Sequence, residues 1–335
     1  MHGWIILDKP LGLGSTQAVS AVKRALREGG YGKVKVGHGG TLDPLASGVL
    51  PVAIGEATKL AGRMLDSDKI YEFTIGFGTQ TSTLDAEGEV VASSDVRPTF
   101  AAVEAVLPRF TGPIEQVPPA YSALKVDGER AYDLARAGEE VVLATRAVTV
   151  FSLKSSLREA WGGGPSRSDG GGEIESPFPS TADLRSSVPL PISDGEDLDE
   201  ITLTAHVSKG TYIRSLARDI ALALGTVGHV TYLRRIKAGP FDLSHAISLD
   251  KLAESAKRHD LEQILLPLRA GLDDIPALSL NPDQAGALRQ GRVLAGIAED
   301  AHSKGGLHFA MLGETPVALV EVESGEARVV RGFNL

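Results

Sequence analysis

Residues 36–60 read VGHGGTLDPLASGVLPVAIGEATKL, and the rest of the chain is best taken outward from them. A glycine-rich loop over residues 37–48 runs into an apolar stretch, Val49 to Ile54, that reads as a buried strand. Glu56 to Leu65 then reads as a helix. Inside the loop, Asp43 precedes Pro44, which biases the aspartate backbone toward extended geometry, while Leu42, Leu45, Val49 and Leu50 surround it with apolar side chains. A carboxylate held by a rigid loop in such surroundings is stripped of water and is a better nucleophile for it. An ordinary Asp-Pro turn has the same spelling, and spacing alone favours the turn.

Upstream, Trp4 to Leu7 reads as a buried strand that turns at Asp8-Lys9-Pro10. Ser15 or Thr16 can cap a following helix whose apolar face is Ala18, Val19, Val22, Ala25 and Leu26, with Gly29-Gly30 ending it. Downstream, residues 70–77 (IYEFTIGF) place Tyr71, Phe73, Ile75 and Phe77 on one side of a strand. Thr99 to Leu107 and Ala131 to Ala137 read as helices, and Thr145 to Leu153 and Ile201 to Val207 as strands. Strands and helices are mixed rather than strictly alternating, which predicts an α+β fold over a doubly wound parallel one. After a linker over 251–272, residues 273–335 predict a short helix around Pro282 to Arg289 and β runs at 307–312, 316–322 and 327–333. That is a small β-rich module near the lower size limit for folding alone.

The 335 residues suit about two domains. The net charge of −9 argues against a histone-like binder, but the charge is uneven. Residues 155–200 hold ten acids and three bases, and 21 of these 46 residues are Gly, Pro or Ser, so a disordered surface insertion is expected there. By contrast, Lys209, Arg214, Arg218, Arg234, Arg235 and Lys237 face a single acid, Asp219, within residues 207–240. Tyr212 and Tyr232 interleave with them, as RNA binding asks, although a solvated helix face explains half of these bases as well. There is no cysteine, which removes disulfides, thiolate nucleophiles and Cys-ligated metals. No stretch approaches the roughly 20 apolar residues of a membrane span, and a cytoplasmic protein is expected. His38 and His229 lie in no metal-ligand spacing, and neither a GxGxxG nor a GxxxxGK[ST] loop occurs, so no metal and no cofactor are expected.

A buried carboxylate stays ionised only beside a cation. Arg214, in the first turn of a helix that follows Gly210, is a candidate to point inward, whereas Arg218 reads as a solvated helix arginine. Tyr71 reads as a core tyrosine.

Five blocks together resemble the bacterial tRNA pseudouridine-55 synthase family: DKPLGLGST (8–16), residues 36–60, KIYEFTIGFGTQTSTLDAEGEV (69–90), VPPAYSALKVDGERAYDLAR (117–136) and the GTYIRSLARDIALALG…HVTYLRR stretch (210–235). The resemblance implies a mixed, mainly antiparallel central sheet with flanking helices over residues 1–250, and a PUA-like RNA-binding module at the C-terminus. It implies an isomerase that converts the T-loop uridine of tRNA to pseudouridine, working as a monomer on the tRNA T-arm. Within it Asp43 matches the catalytic aspartate, Tyr71 the active-site tyrosine and Arg214 the arginine paired with the aspartate. His38, Tyr212 and Leu233 fall on positions that contact the flipped uridine or the T-loop, and Lys9 and Pro10 on a motif that supports the site. Two rivals are a non-catalytic RNA-binding or RNA-folding protein on the same scaffold, which the joint presence of Asp43, Tyr71 and Arg214 disfavours, and a glycosidase, which wants a second carboxylate where only Asp8 is near in sequence.

Overall fold

The computed structural model of the protein describes residues 1–122, 124–126, 128–139, 141, 143–156, 197–297 and 306–335. Its chain divides into two compact units, one made of Met1–Tyr71, His206–Gly210 and Tyr232–Leu335, the other of Glu72–Ala205 and Thr211–Thr231. Among the described residues a nine-stranded sheet has the order Gly3–Lys9, Ala46–Ile54, Gly228–Ala238, Lys69–Phe77, Glu200–Val207, Arg146–Ser155, Gly112–Gln116. Val36–His38 pairs on Ala46–Ile54, and Phe241–Asp242 on Gly228–Ala238. The sheet is mixed, as the α+β reading expects. Gly3–Lys9 runs antiparallel to Ala46–Ile54, whereas Gly228–Ala238 runs parallel to it with Leu233 opposite Ala46 and Arg235 opposite Gly48.

In the first unit, the amphipathic helix Ser15–Glu28 buries the five residues its periodicity selects, Ala18, Val19, Val22, Ala25 and Leu26, against Ile5, Leu7, Leu50 and Val52. Its cap differs from the expectation. Gly14 occupies the capping position and its N–H donates to Gln17 Oε1 at 2.8 Å, which frees Ser15 for a tertiary role. The helix expected over Glu56 to Leu65 is a 3-10 turn, Gly55–Leu60, continued by the α-helix Ala61–Asp66.

Residues 251–272 are not a spacer. Helix Leu249–Arg258 packs on Ser15–Glu28, burying Leu252 and Ala256, and Leu266 exchanges backbone hydrogen bonds with Trp4 at 2.9 and 2.8 Å. Apolar residues at Leu252, Leu261, Leu268 and Leu272 are the physical reason, since a solvated linker would not carry them into a core. The C-terminal stretch forms a five-stranded sheet in the order Ala277–Ser279, Gly306–Leu312, Thr315–Glu323, Glu326–Gly332, Leu294–Ala295, with helix Pro282–Arg289 capped by Asn281. Alternation along Thr315–Glu323 buries both faces. Ala318 and Val320 pack with Leu288 and Ala285, while Leu319 joins Phe309, Phe333, Trp4 and Phe241. A module this small gains stability by sharing a core in this way.

In the second unit, Ile201, Leu203 and Ala205 alternate inward along Glu200–Val207 as expected, whereas Phe73 to Phe77 are buried without a break, Thr74 and Gly76 included, so the alternation expected along Lys69–Phe77 is not seen in its burial. The flanks of the expected insertion are strand, ending at Ser155 and resuming at Glu200, and residues 157–196 lie outside the described residues.

Candidate active site

The loop that carries Asp43 has its backbone tied down at four consecutive carbonyls. Arg235 Nη1 donates to Thr41 O at 3.3 Å. Ser15 Oγ donates to Leu42 O at 2.9 Å and accepts the Leu42 N–H at 2.8 Å. Ala46 N donates to Asp43 O at 3.0 Å, and Gly12 N to Pro44 O at 2.8 Å. Lys9 Nζ, on a fully buried side chain, reaches Pro44 O at 3.4 Å while also holding Pro10 O and Leu13 O. Each bond is modest in isolation, but four adjacent anchors leave the aspartate little backbone freedom.

Glycine is required where the loop meets its supports. Gly48 has φ +98°, and a Cβ there would lie 2.2 Å from Arg235 O; a Cβ on Gly39 would lie 2.5 Å from Met64 Cβ.

This neighbourhood is cationic. Burial pulls the Lys9 ammonium down to about 8, with Asp43 opposing and Arg235 adding to the fall. Burial also lowers His38, with a hydrogen bond to the Gly40 backbone opposing and Arg235 reinforcing. Neutral imidazole is thereby favoured on the loop strand Val36–His38. Tyr71 and Leu233 are half-buried and pack against the core that contains Leu42 and Ala46. Lys9, His38, Asp43, Tyr71 and Leu233 thus all belong to the first unit.

Tyr212 and Arg214 belong to the second unit, at the start of helix Ile213–Ala223. The Tyr212 N–H donates to Gln116 Oε1 at 2.8 Å and Ser215 Oγ to Val117 O at 2.8 Å, which together lock the first turn. Arg214 points inward, as expected, and within its unit it meets a carboxylate that sequence reading passed over. Its Nη1 donates to Asp85 Oδ2 at 3.2 Å and to Thr83 O at 2.9 Å, and its Nη2 to Tyr121 O at 3.0 Å. Both side chains of the Arg214–Asp85 pair are only 8% exposed. Asp85 Oδ1 in turn accepts from Thr83 Oγ1 at 2.5 Å and from Glu87 N at 3.1 Å, so the carboxylate is fixed from both oxygens. The TSTLDAEG run flags this residue, an aspartate among hydroxyl residues and followed by glycine.

The basic stretch is less available than its composition suggests. Arg214 and Arg235 are buried, Lys209 and Arg234 pair with Asp66 and Asp8, and Arg218 pairs with Asp219 while bonding Val117 O rather than standing free in solvent. Side chains placed inward to bond main-chain carbonyls cannot meet phosphates. Asp8 is thus engaged by Arg234 at 2.8 Å, and His229 Nδ1 donates to Thr79 O at 2.7 Å. A cleft of about 610 Å³ in the first unit, lined among others by Arg63, Asp66, Asp68, His206 and Lys237, contains none of the expected site residues. Among the described residues no group of three His, Cys, Asp or Glu side chains could hold a metal ion, and no helix is long and apolar enough to cross a membrane.

Comparison with known proteins gives these features a common frame. A family model described as the TruB family pseudouridylate synthase N-terminal domain matches residues 27–159, and one described as the tRNA pseudouridylate synthase B C-terminal domain matches residues 214–273. The chain is 59% identical to the tRNA pseudouridine synthase B of Novosphingobium aromaticivorans and 55% identical to that of Zymomonas mobilis, covering all of this chain and 98% and 96% of theirs. Among solved structures it is similar to a chain of an H/ACA RNP bound to a substrate RNA containing 2′-deoxyuridine (TM-score 0.65, 23% identity, 99% of this chain and 85% of that one). It is also similar to a chain of a Cbf5–Nop10–Gar1 complex (TM-score 0.64, 24% identity, 99% and 84%), and these two likenesses bear on the fold. Identity sustained over the whole length, with both family domains present in order, means that the chain belongs to the TruB family of pseudouridylate synthases.

Proposed function

We propose that this protein is a tRNA pseudouridine synthase that isomerises the T-loop uridine at position 55, with Asp43 as the nucleophile. The observation that carries the reading is the backbone cage around Asp43, in which every carbonyl from Thr41 to Pro44 is held by a hydrogen bond. A reaction that must bring one carboxylate to one carbon of a large substrate gains most from such fixed placement.

The chemistry sets the remaining demands. The C1′–N1 bond of uridine breaks, the uracil turns, and a C1′–C5 bond forms, while the proton on C5 is lost and N1 is protonated. Nothing is oxidised, hydrolysed or energised, so the reaction itself needs no cofactor. Asp43 serves by attacking C1′ or C6, or by assisting elimination at C2′. Tyr71 lies against the base and accepts the C5 proton, and Arg214 supplies the positive charge that balances the nucleophile, in the roles their motifs hold in the family.

A uridine folded into the T-loop has to leave its stack before a carboxylate can reach it. His38, held neutral by burial, suits an apolar slot vacated by the base, and Tyr212 and Leu233 suit contacts with the extruded nucleotide. Recognition is by loop shape and phosphate contacts, through the exposed Lys237, the other surface bases and the C-terminal sheet, with a monomeric chain acting in the cytoplasm. The test is Asp43→Asn assayed on a T-arm transcript. Pseudouridine formation is expected to vanish while tRNA binding stays within about threefold; turnover that survives removes Asp43 from its role.

A further inference from the structure

Arg235 is 1% exposed, and among the described residues no carboxylate pairs with it. An isolated buried cation is costly, and this one is compensated only by backbone dipoles. Nε donates to Val49 O at 2.8 Å and Nη1 to Thr41 O at 3.3 Å, while Nη2 is buried without a partner. Thr41 and Val49 stand on either side of Asp43, so one rigid guanidinium spans the base of the loop. The strand register reinforces this, because Arg235 lies opposite Gly48 and the loop closes directly on its backbone.

Three other basic groups feel the same guanidinium. Lys9, His38 and Lys69 are each lowered chiefly by burial and further by Arg235, and Lys9 itself holds the carbonyl next to Asp43.

We propose that Arg235 is a positioning residue for pseudouridine formation, fixing the carbonyls that flank Asp43 so that the carboxylate is presented to the uridine in one place. Arg235 does not touch RNA. The inference rests on Asp43 being the nucleophile. A side chain that merely filled space could be replaced by methionine at little cost to catalysis, whereas a two-donor clamp could not.

The test uses the full chain and a T-arm transcript, with Arg235→Met, Arg235→Lys and Arg235→Ala, each checked for folding by circular dichroism and for tRNA affinity. Misplacing the nucleophile by about 1 Å costs about 100-fold. Arg235→Met is therefore expected to lose about 100-fold in kcat with KM and tRNA affinity within about threefold of wild type. Arg235→Lys, a single ammonium that reaches one carbonyl at a time, is expected to recover part of that loss, and millimolar guanidinium to raise kcat of Arg235→Ala without affecting wild type. A folded Met variant with kcat near wild type overturns the proposal, as does a loss confined to KM. Should the Met and Ala variants fail to fold, Arg235→Lys decides, and an undiminished kcat in it overturns the proposal. Asp43→Asn run alongside keeps the two ideas apart, since turnover by that variant refutes the nucleophile assignment whatever Arg235 does.

Discussion

Arg214 and Arg235 are both closed off from solvent, at 7% and 1% exposure, yet their charges are compensated in opposite ways. Arg214 has a carboxylate, Asp85, itself fixed by Thr83 and Glu87, and two carbonyls besides. Arg235 has carbonyls alone and one idle donor. A paired guanidinium holds two chain segments to each other, whereas one without a carboxylate also adds to the lowering of Lys9, His38 and Lys69 that burial begins. The first arrangement secures a loop; the second also adds to the fall that burial imposes on the groups around it.

This contrast can be broken by mutation. Arg214→Met strands the Asp85 carboxylate in the interior and is expected to cost about 3–5 kcal/mol in urea unfolding, whereas Arg235→Met frees only backbone acceptors and should cost about 1–3 kcal/mol. A reversed order would show that the two arginines do not differ in the way their partners suggest.

The next effect is a pH dependence. Lys9 titrates near 8 in the folded protein against 10.5 in the unfolded chain. Between those values the unfolded chain holds more protons, so stability rises as pH climbs from 8 to 10.5, by up to about 3 kcal/mol from this group, and below pH 8 the full penalty of burying the charge is carried. Lys9→Met is expected to abolish that rise. In Arg235→Met the Lys9 ammonium should titrate higher, which narrows the window; an unchanged slope there would disprove the coupling between the two cations.

A smaller change sharpens the picture of the loop. Ser15→Ala removes both bonds to Leu42 and is expected to cost about 1–2 kcal/mol with a fall in kcat and an unchanged KM for tRNA. A variant with lowered stability but full kcat would mean that three anchors suffice.

The cage was only partly legible beforehand. Asp43, Arg214, Tyr71 and Lys9 stand out through the five blocks that resemble the family, whereas spacing alone reads Asp43 as a turn and Tyr71 as a core residue. Ser15 reads as a cap because a serine before an amphipathic helix ordinarily is one; Gly14 takes that position, and the hydroxyl goes to a loop 27 residues away. Arg235 reads as part of an RNA-facing basic run but is buried, since a count of charges carries no information on which side of a strand each occupies. Asp85 stands inside the third block, but an ion pair over 129 residues of separation leaves no mark in spacing. The stretch 251–272 reads as a linker in sequence, yet its leucines, once paired with Trp4 and the N-terminal helix, are core.

What the amino-acid order determined alone was most of the elements and the mixed fold class, because amphipathic period and turn chemistry are written within a few residues of one another. What tertiary structure decided was which buried cation meets an anion and which meets only carbonyls. That follows from the pairing of strands far apart in the chain, where a one-residue change of register would turn Arg235 from the core to water.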